Sequence, residues 1–220
     1  MFTKNRILLW VFIMILAPIG FAWYVYPTLP DSIPTHFNIK GEADHWGDRS
    51  SIFFGPGIMA AASLLVFFVL TNIKKIDPKK YQVKDESIYG TFALITVAFL
   101  SLISIIIVYA STNNAISIGK LLLPTLGLFF SVMGWILPKV GQNYFAGIRL
   151  PWTLDNEDNW NETHKVAGKV WGIGGLLQAI GTLIVPDVYG FYIFISCIIV
   201  MVGIPVIFSY RMFKNGNKIN

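Results

Sequence analysis

Histidine and carboxylate side chains gather in one short stretch, LPDSIPTHFNIKGEADHWGDRS, which holds Asp31, His36, Glu42, Asp44, His45 and Asp48. Imidazole nitrogen and carboxylate oxygen are zinc ligands. His36, Asp44 and His45 come together if the chain folds back at Gly41, yet their spacing matches no standard zinc signature. The competing reading is a compact, hydrogen-bonded cap. Pro30 and Pro34 restrict the backbone, and Gly41 and Gly47 permit tight turns. Asp31 and Asn38 add polar groups, and Phe37 and Trp46 pack the loop onto a membrane interface, where aromatic rings are favoured. The expectation is the cap, with no metal and no cofactor.

A second segment, NYFAGIRLPWTLDNEDNWNETHKVAGKVWG, is rich in amide and aromatic residues. Asn143, Arg149, Trp152, Thr153, Trp160 and His164 stand out. Arg149-Leu-Pro-Trp sets a fixed cation beside a stiff turn and an indole. This suits a hydrogen-bonded corner or a stacked Arg–Trp pair. A helix starts near Asp155 or Asn156, with acids in its first turn. Trp160, His164, Ala167 and Trp171 then share one face. That face is either an interfacial surface with indoles at headgroup depth or a docking surface for a partner. His164 with Glu162 or Asp158 can be drawn as an acid–base pair, but such pairs are common in any polar loop. There is no Gly-rich phosphate loop, no nucleophile-elbow Ser and no HExxH, so the expectation is a protein without enzymatic activity.

Both segments must be held by what surrounds them, and that is apolar. The chain of 220 residues is 55% hydrophobic and 13% charged, whereas a soluble domain is usually about 25% charged. A membrane-spanning helix needs about 20 mostly apolar residues. Six stretches qualify: Ile7–Tyr26, Ile52–Ile73, Tyr89–Ala110, Leu121–Leu137, Val170–Val185 and Val188–Tyr210. The fold class expected is an all-α polytopic membrane protein with six transmembrane helices. The first run follows Lys4 and Arg6 as a signal peptide would, but it is long and no small-x-small cleavage site follows it, so it reads as a retained span. Two halves are expected within one membrane domain: 1–110, with the loop 27–51, and 111–220, with the loop 138–169.

Basic residues set the orientation. With the N-terminus inside, only Lys40, Arg49 and Lys120 of the 17 Lys and Arg face outward. Lys74, Lys75, Lys79, Lys80 and Lys84, then Lys139, Arg149, Lys165 and Lys169, fall inside with both termini. The net charge of +5 flanks apolar runs instead of forming a basic stripe. The partner implied is the bilayer with its anionic headgroups, not nucleic acid. The fifth span is short, Gly-rich and carries Gln178, so it reads as a tilted or partly re-entrant helix. Its Gly168, Gly172, Gly175 and Ala179 lie on one face suited to close helix packing, within one chain or between two, and oligomeric state stays open. Pro18, Pro56, Pro124 and Pro205 are expected to kink or end helices. Cys197 stands alone and reads as a small packing residue.

The segment from Asn143 to Lys169 resembles the signature of the SdpI family of bacterial immunity proteins. The segment LPDSIPTHFNIKGEADHWG resembles a domain of unknown function, number 1648, often found ahead of it. The positions carried over are Asn143, Gly147, Arg149, Pro151, Trp152, Thr153, Trp160 and His164. The resemblance implies a multi-pass protein of a bacterial cell membrane that gives resistance to a secreted peptide toxin. It also implies a receptor that retains a transcriptional repressor at the membrane, so that toxin outside and repressor inside would be its partners. A small transporter, with the two loops as gates, is the alternative reading, and a membrane-embedded enzyme is the third.

The orientation is testable by labelling with Cys197 removed. Asn38→Cys should react from outside intact cells, and Asn156→Cys only after permeabilisation. Reversed labelling would end the arrangement with both termini inside.

Overall fold

The computed structural model describes residues 4–78, 87–112 and 117–216. Lys79, Lys80 and Lys84, the Asn113–Asn114 turn and Lys218 lie outside the described residues. In chain order the elements are α1 (Lys4–Val25), β1 (Ser32–Phe37), β2 (Ala43–Asp48), α2 (Phe54–Thr71), the single-turn α3 (Ile73–Ile76), α4 (Ser87–Thr112), α5 (Ile118–Ile136), α6 (Pro151–Asp155), α7 (Glu157–Ile184) and α8 (Asp187–Gly216). Among the described residues, six helices are long and apolar enough to cross a membrane. The chain is an all-α polytopic protein, as its hydropathy predicts, with one small hairpin added. Large apolar side chains such as Leu65, Phe68, Ile184 and Ile199 point outward from the bundle, as expected where lipid replaces water.

The helices form two groups. Helices α1 and α2 pack on α4, α7 packs on α5 and α8, and α4 meets α5 between the groups. There Phe99 and Phe129 stack with centroids 3.9 Å apart. Three small cores lie along the bundle. One, around Ala22, Ile33, Ile52 and Val108, sits under the hairpin. Val11, Ile15 and Val97 form the middle one. The largest, at the opposite end, gathers Leu70, Tyr89, Met133, Val140, Ala146 and Trp160.

The contact between α5 and α7 brings backbone against backbone. A Cβ added at Gly134 would overlap the amide nitrogen of Gly172, and one at Gly127 would lie 2.6 Å from that of Ala179. A Cβ at Gly175 would overlap the amide nitrogen of Ser131. Small residues permit such approach in membranes, where helix association relies on van der Waals contact. Ser131 then donates to the Gly172 carbonyl across the seam at 2.8 Å. The glycine face read from the sequence is therefore covered by α5 of the same chain.

The fifth span departs from expectation. It is not short: α7 runs unbroken from Glu157 to Ile184 and so includes the segment read as a separate interfacial helix. No proline interrupts it, and its glycines, each costing about 1 kcal/mol in helix propensity, are offset by the close packing on α5. At 28 residues and 1.5 Å per residue, it is longer than the roughly 30 Å hydrocarbon core.

Three prolines lie inside helices without breaking them: Pro18, Pro124 and Pro205. A proline leaves the carbonyl four residues earlier without its helical donor. Pro18 frees Met14, whose carbonyl accepts from Ser101 of α4 at 2.6 Å. Pro205 frees Met201, whose carbonyl accepts from the Trp171 indole of α7 at 2.8 Å. Both expected defects have become bonds between helices. Pro56 lies in the first turn of α2, where a proline is tolerated.

Gly134→Ala should lower resistance to detergent-induced unfolding by about 1–3 kcal/mol, the usual cost of overpacking. Gly20→Ala, whose added Cβ meets nothing within 4 Å, should be neutral or slightly stabilising. Helical circular dichroism against denaturing detergent compares the two.

Candidate functional site

The segment 140–156 folds inward over the start of α7. Trp160 and His164 lie one helical turn apart, 0% and 1% exposed, with rings stacked at 4.1 Å. The Trp160 indole donates to the Val140 carbonyl at 2.9 Å. His164 Nδ1 lies 2.7 Å from the Trp160 carbonyl, which can only accept, so Nδ1 carries the proton. Nε2 then accepts from the Ile148 amide at 3.0 Å. The ring is thus neutral, with both nitrogens engaged. Gly147 crosses directly above at φ +117°, and a Cβ there would overlap His164 Nε2. Only glycine suits both that conformation and that approach.

The other loop amides are caught by side chains too. Asn143, buried, accepts from the Phe145 and Ala146 amides at 2.7 Å each. It donates to the Gly141 and Ala146 carbonyls. Asp77, just past the end of α3, accepts from the Tyr144 amide at 2.9 Å. The Thr153 hydroxyl accepts from the Leu150 amide at 2.9 Å, just before Pro151 opens α6. Gln142 donates to the Thr153 carbonyl, and Tyr89 of α4 to that of Gly141. A loop so satisfied is part of the core, because buried backbone groups must be paired.

These contacts correct two expectations. Trp160 and His164 form no exposed face, neither interfacial nor docking, because the loop covers them. Nor do Arg149 and Trp152 stack together. Arg149 is exposed and donates to the Tyr144 carbonyl at 2.6 Å, closing the hydrogen-bonded corner. Trp152 donates to Ser209 of α8 at 3.0 Å and stacks on Phe213 at 5.7 Å. Asn156 caps α7, as expected, accepting from the Asn159 amide. Asn159 in turn donates to the Ser209 carbonyl. Asp77, Gln142, Asn159 and Ser209 were not foreseen. Asp77 is an acid within a lysine-rich run and Ser209 interrupts an apolar one, and those were their only signals.

At the opposite end, β1 and β2 pair antiparallel. Asn38 shapes the turn, accepting from the Lys40 and Glu42 amides. Gly41, at φ +76°, packs so closely that an added Cβ would overlap Ser117 Oγ before α5. Gly47 would meet Thr35 at 2.8 Å. Pro34 is buried, and its carbonyl accepts from Ser111 of α4. Arg49 donates from its amide to Asp31 and lies over the Tyr26 ring at 5.3 Å. Pro30 and Trp46 are exposed. His36, Asp44 and His45 do come together. Hydrogen bonding from His36, at 2.6 Å, is the main cause that lowers the Asp44 carboxyl below its usual range.

Beneath the hairpin lies a pocket of about 830 Å³, lined mostly by apolar side chains including Phe37, Ile58, Ile107, Leu122, Phe191 and Phe194. It draws on the hairpin and on α2, α4, α5 and α8. No local pattern foretold it, since its walls come from distant segments. Gln178 lies near it, buried, donating to the Leu123 carbonyl at 3.2 Å.

Comparison with known proteins gives three findings. Residues 139–210 match the SdpI/YfhL protein family. Residues 13–60 match a domain of unknown function, DUF1648. The chain is also 26% identical over 196 residues to Immunity protein SdpI of Bacillus subtilis (strain 168), covering 88% of this chain and 90% of the relative. No solved structure matches.

His164→Ala removes the acceptor of the Ile148 amide, and an unpaired buried group costs about 1–3 kcal/mol. Limited proteolysis should then cut within 141–150, and Gly147→Ala should do the same. Arg149→Ala, an exposed change, should leave the loop resistant.

Proposed function

We propose that this chain, a multi-pass bacterial membrane protein carrying the SdpI-family and DUF1648 segments, is an immunity protein that protects its cell from a secreted peptide toxin. One observation carries the reading: the likeness to an immunity protein runs through 88% of the chain. The architecture is compatible with it. The pocket under the hairpin offers an apolar surface of the size that ligand sites commonly have, about 300–1,000 Å³, and an apolar stretch of toxin suits it. In this reading the hairpin end faces outward, the orientation that the distribution of basic residues favours.

The signature loop serves the second half of the proposal, signalling to a cytoplasmic repressor. The loop is held closed from beneath, so only its outer surface is available to a partner. Arg149 is the cation on that surface beside the Tyr144 carbonyl. A permease-like reading draws on the same pocket, which lies between the two helix groups.

Expression in a toxin-sensitive strain separates the readings. Protection without solute flux in proteoliposomes supports immunity; flux without protection supports the permease. Leu122→Trp, which fills the pocket, should reduce protection at unchanged membrane abundance. Arg149→Ala should lower repressor retention while protection persists. Lys at that position should not fully restore retention, because an ammonium lacks the planar fork of guanidinium.

A further inference from the structure

The hairpin's strand register contains a feature that neither the helical bundle nor the immunity reading needs. Pro34 pairs with Trp46, His36 with His45, and Phe37 with Ala43. Thr35 on one strand and Asp44 on the other therefore have no partner across the ladder. A regular ladder continuing from Pro34–Trp46 would place His36 opposite Asp44 and turn His45 to the other face, since side chains alternate along a strand. The paired irregularities instead set the two imidazoles opposite each other and re-aim Asp44 between them, the known effect of a bulge.

The result is a convergent donor set. One oxygen of Asp44 lies 2.6 Å from Nδ1 of His36 and 3.4 Å from Nδ1 of His45. One ligand atom from each of the three residues lies within 4.8 Å of the others. Four-coordinate zinc with bonds near 2.0–2.2 Å keeps its ligands roughly 3.3–3.5 Å apart. The His45–Asp44 pair already has that spacing, His36 needs to withdraw from Asp44 by less than about 1 Å, and the two imidazole nitrogens, within 4.8 Å of each other, draw together by rotation of exposed side chains. The imidazoles are 65% and 76% exposed, so an ion can enter and water can fill a fourth position.

We propose that His36, Asp44 and His45 form a transition-metal site, best suited to Zn2+, at the rim of the apolar pocket. Two imidazoles and one carboxylate are a ligand set that catalytic zinc sites use, with the remaining position open to water or to an incoming ligand. Sodium, magnesium and calcium favour all-oxygen sets, which argues against them here. Upon binding, the ion takes the place of the hydrogen between His36 Nδ1 and Asp44, and the neutral ring that ligates it keeps its proton on Nε2. His36 also lines the pocket, so the ion lies beside whatever the pocket admits. The site goes beyond the immunity reading and stands or falls independently of it.

The test uses the full chain in detergent, purified without a polyhistidine tag and stripped of metal. Zn2+ titration followed by calorimetry should give one saturable site at micromolar metal or below. Co2+ should show the visible absorption of a low-coordinate N/O site. His45→Ala, which leaves the His36–Asp44 contact in place, should weaken Zn2+ by more than the ~10–100-fold that changing a residue hydrogen-bonded to a metal ligand costs and abolish the Co2+ spectrum. Asp44→Asn should weaken binding as well. Helical circular dichroism should be unchanged in both, because the side chains are exposed. No saturable uptake by the wild type, or uptake that survives both substitutions, would overturn the site and leave a hydrogen-bonded hairpin only.

Discussion

The seam between α5 and α7 is the constraint from which the rest of this structure follows. Glycines at 127 and 134 on one helix and at 168, 172 and 175 on the other let the two backbones touch. A side chain at 127, 134 or 175 would run into the backbone of the facing helix and force the two apart. A contact made by backbones has little tolerance in register or rotation. The seam therefore fixes which residues at the start of α7 face inward, and these are Trp160, Thr163, His164 and Ala167. It also places α7 to present Trp171 to α8 and Gln178 to α5.

Given that placement, the loop 140–156 has a surface to fold on. Its amides are held from three directions: by Asp77 at the end of the α2 segment, by Asn143 and Thr153 within the loop, and by His164 from α7. The same economy governs the prolines. The carbonyls freed by Pro18 and Pro205 are each taken by a side chain from a neighbouring helix. In an apolar surrounding an unpaired backbone group costs several kcal/mol. Each such pairing therefore also determines which helices are neighbours.

The fold was largely legible in the sequence, because spans are written in composition and length. Six apolar runs gave six helices, and the glycine face at 168, 172, 175 and 179 was visible as spacing. Its partner was not, because Gly127 and Gly134 look unremarkable within a Leu- and Phe-rich run. The extent of α7 was misjudged because its first turns are polar, and polarity was read as a boundary when it marked a helix extending beyond the apolar zone. At the candidate site Trp160 and His164 were expected on an exposed face and are buried. An aromatic and a histidine at helical spacing look alike whether exposed or buried. What decides between them is a loop whose course depends on Asp77, more than sixty positions earlier. The pocket, assembled from distant segments, left no local trace at all.

The central claim is that the signature loop is a built part of the core, locked over a neutral His164, and not a flexible cytoplasmic tether. Amide hydrogen exchange on the full chain in a lipid nanodisc tests it most directly. The amides of Tyr144, Ala146 and Ile148 should exchange as slowly as those of neighbouring helical residues in α7. Exchange of those three at the rate of an unstructured peptide, with α7 still protected, would contradict it.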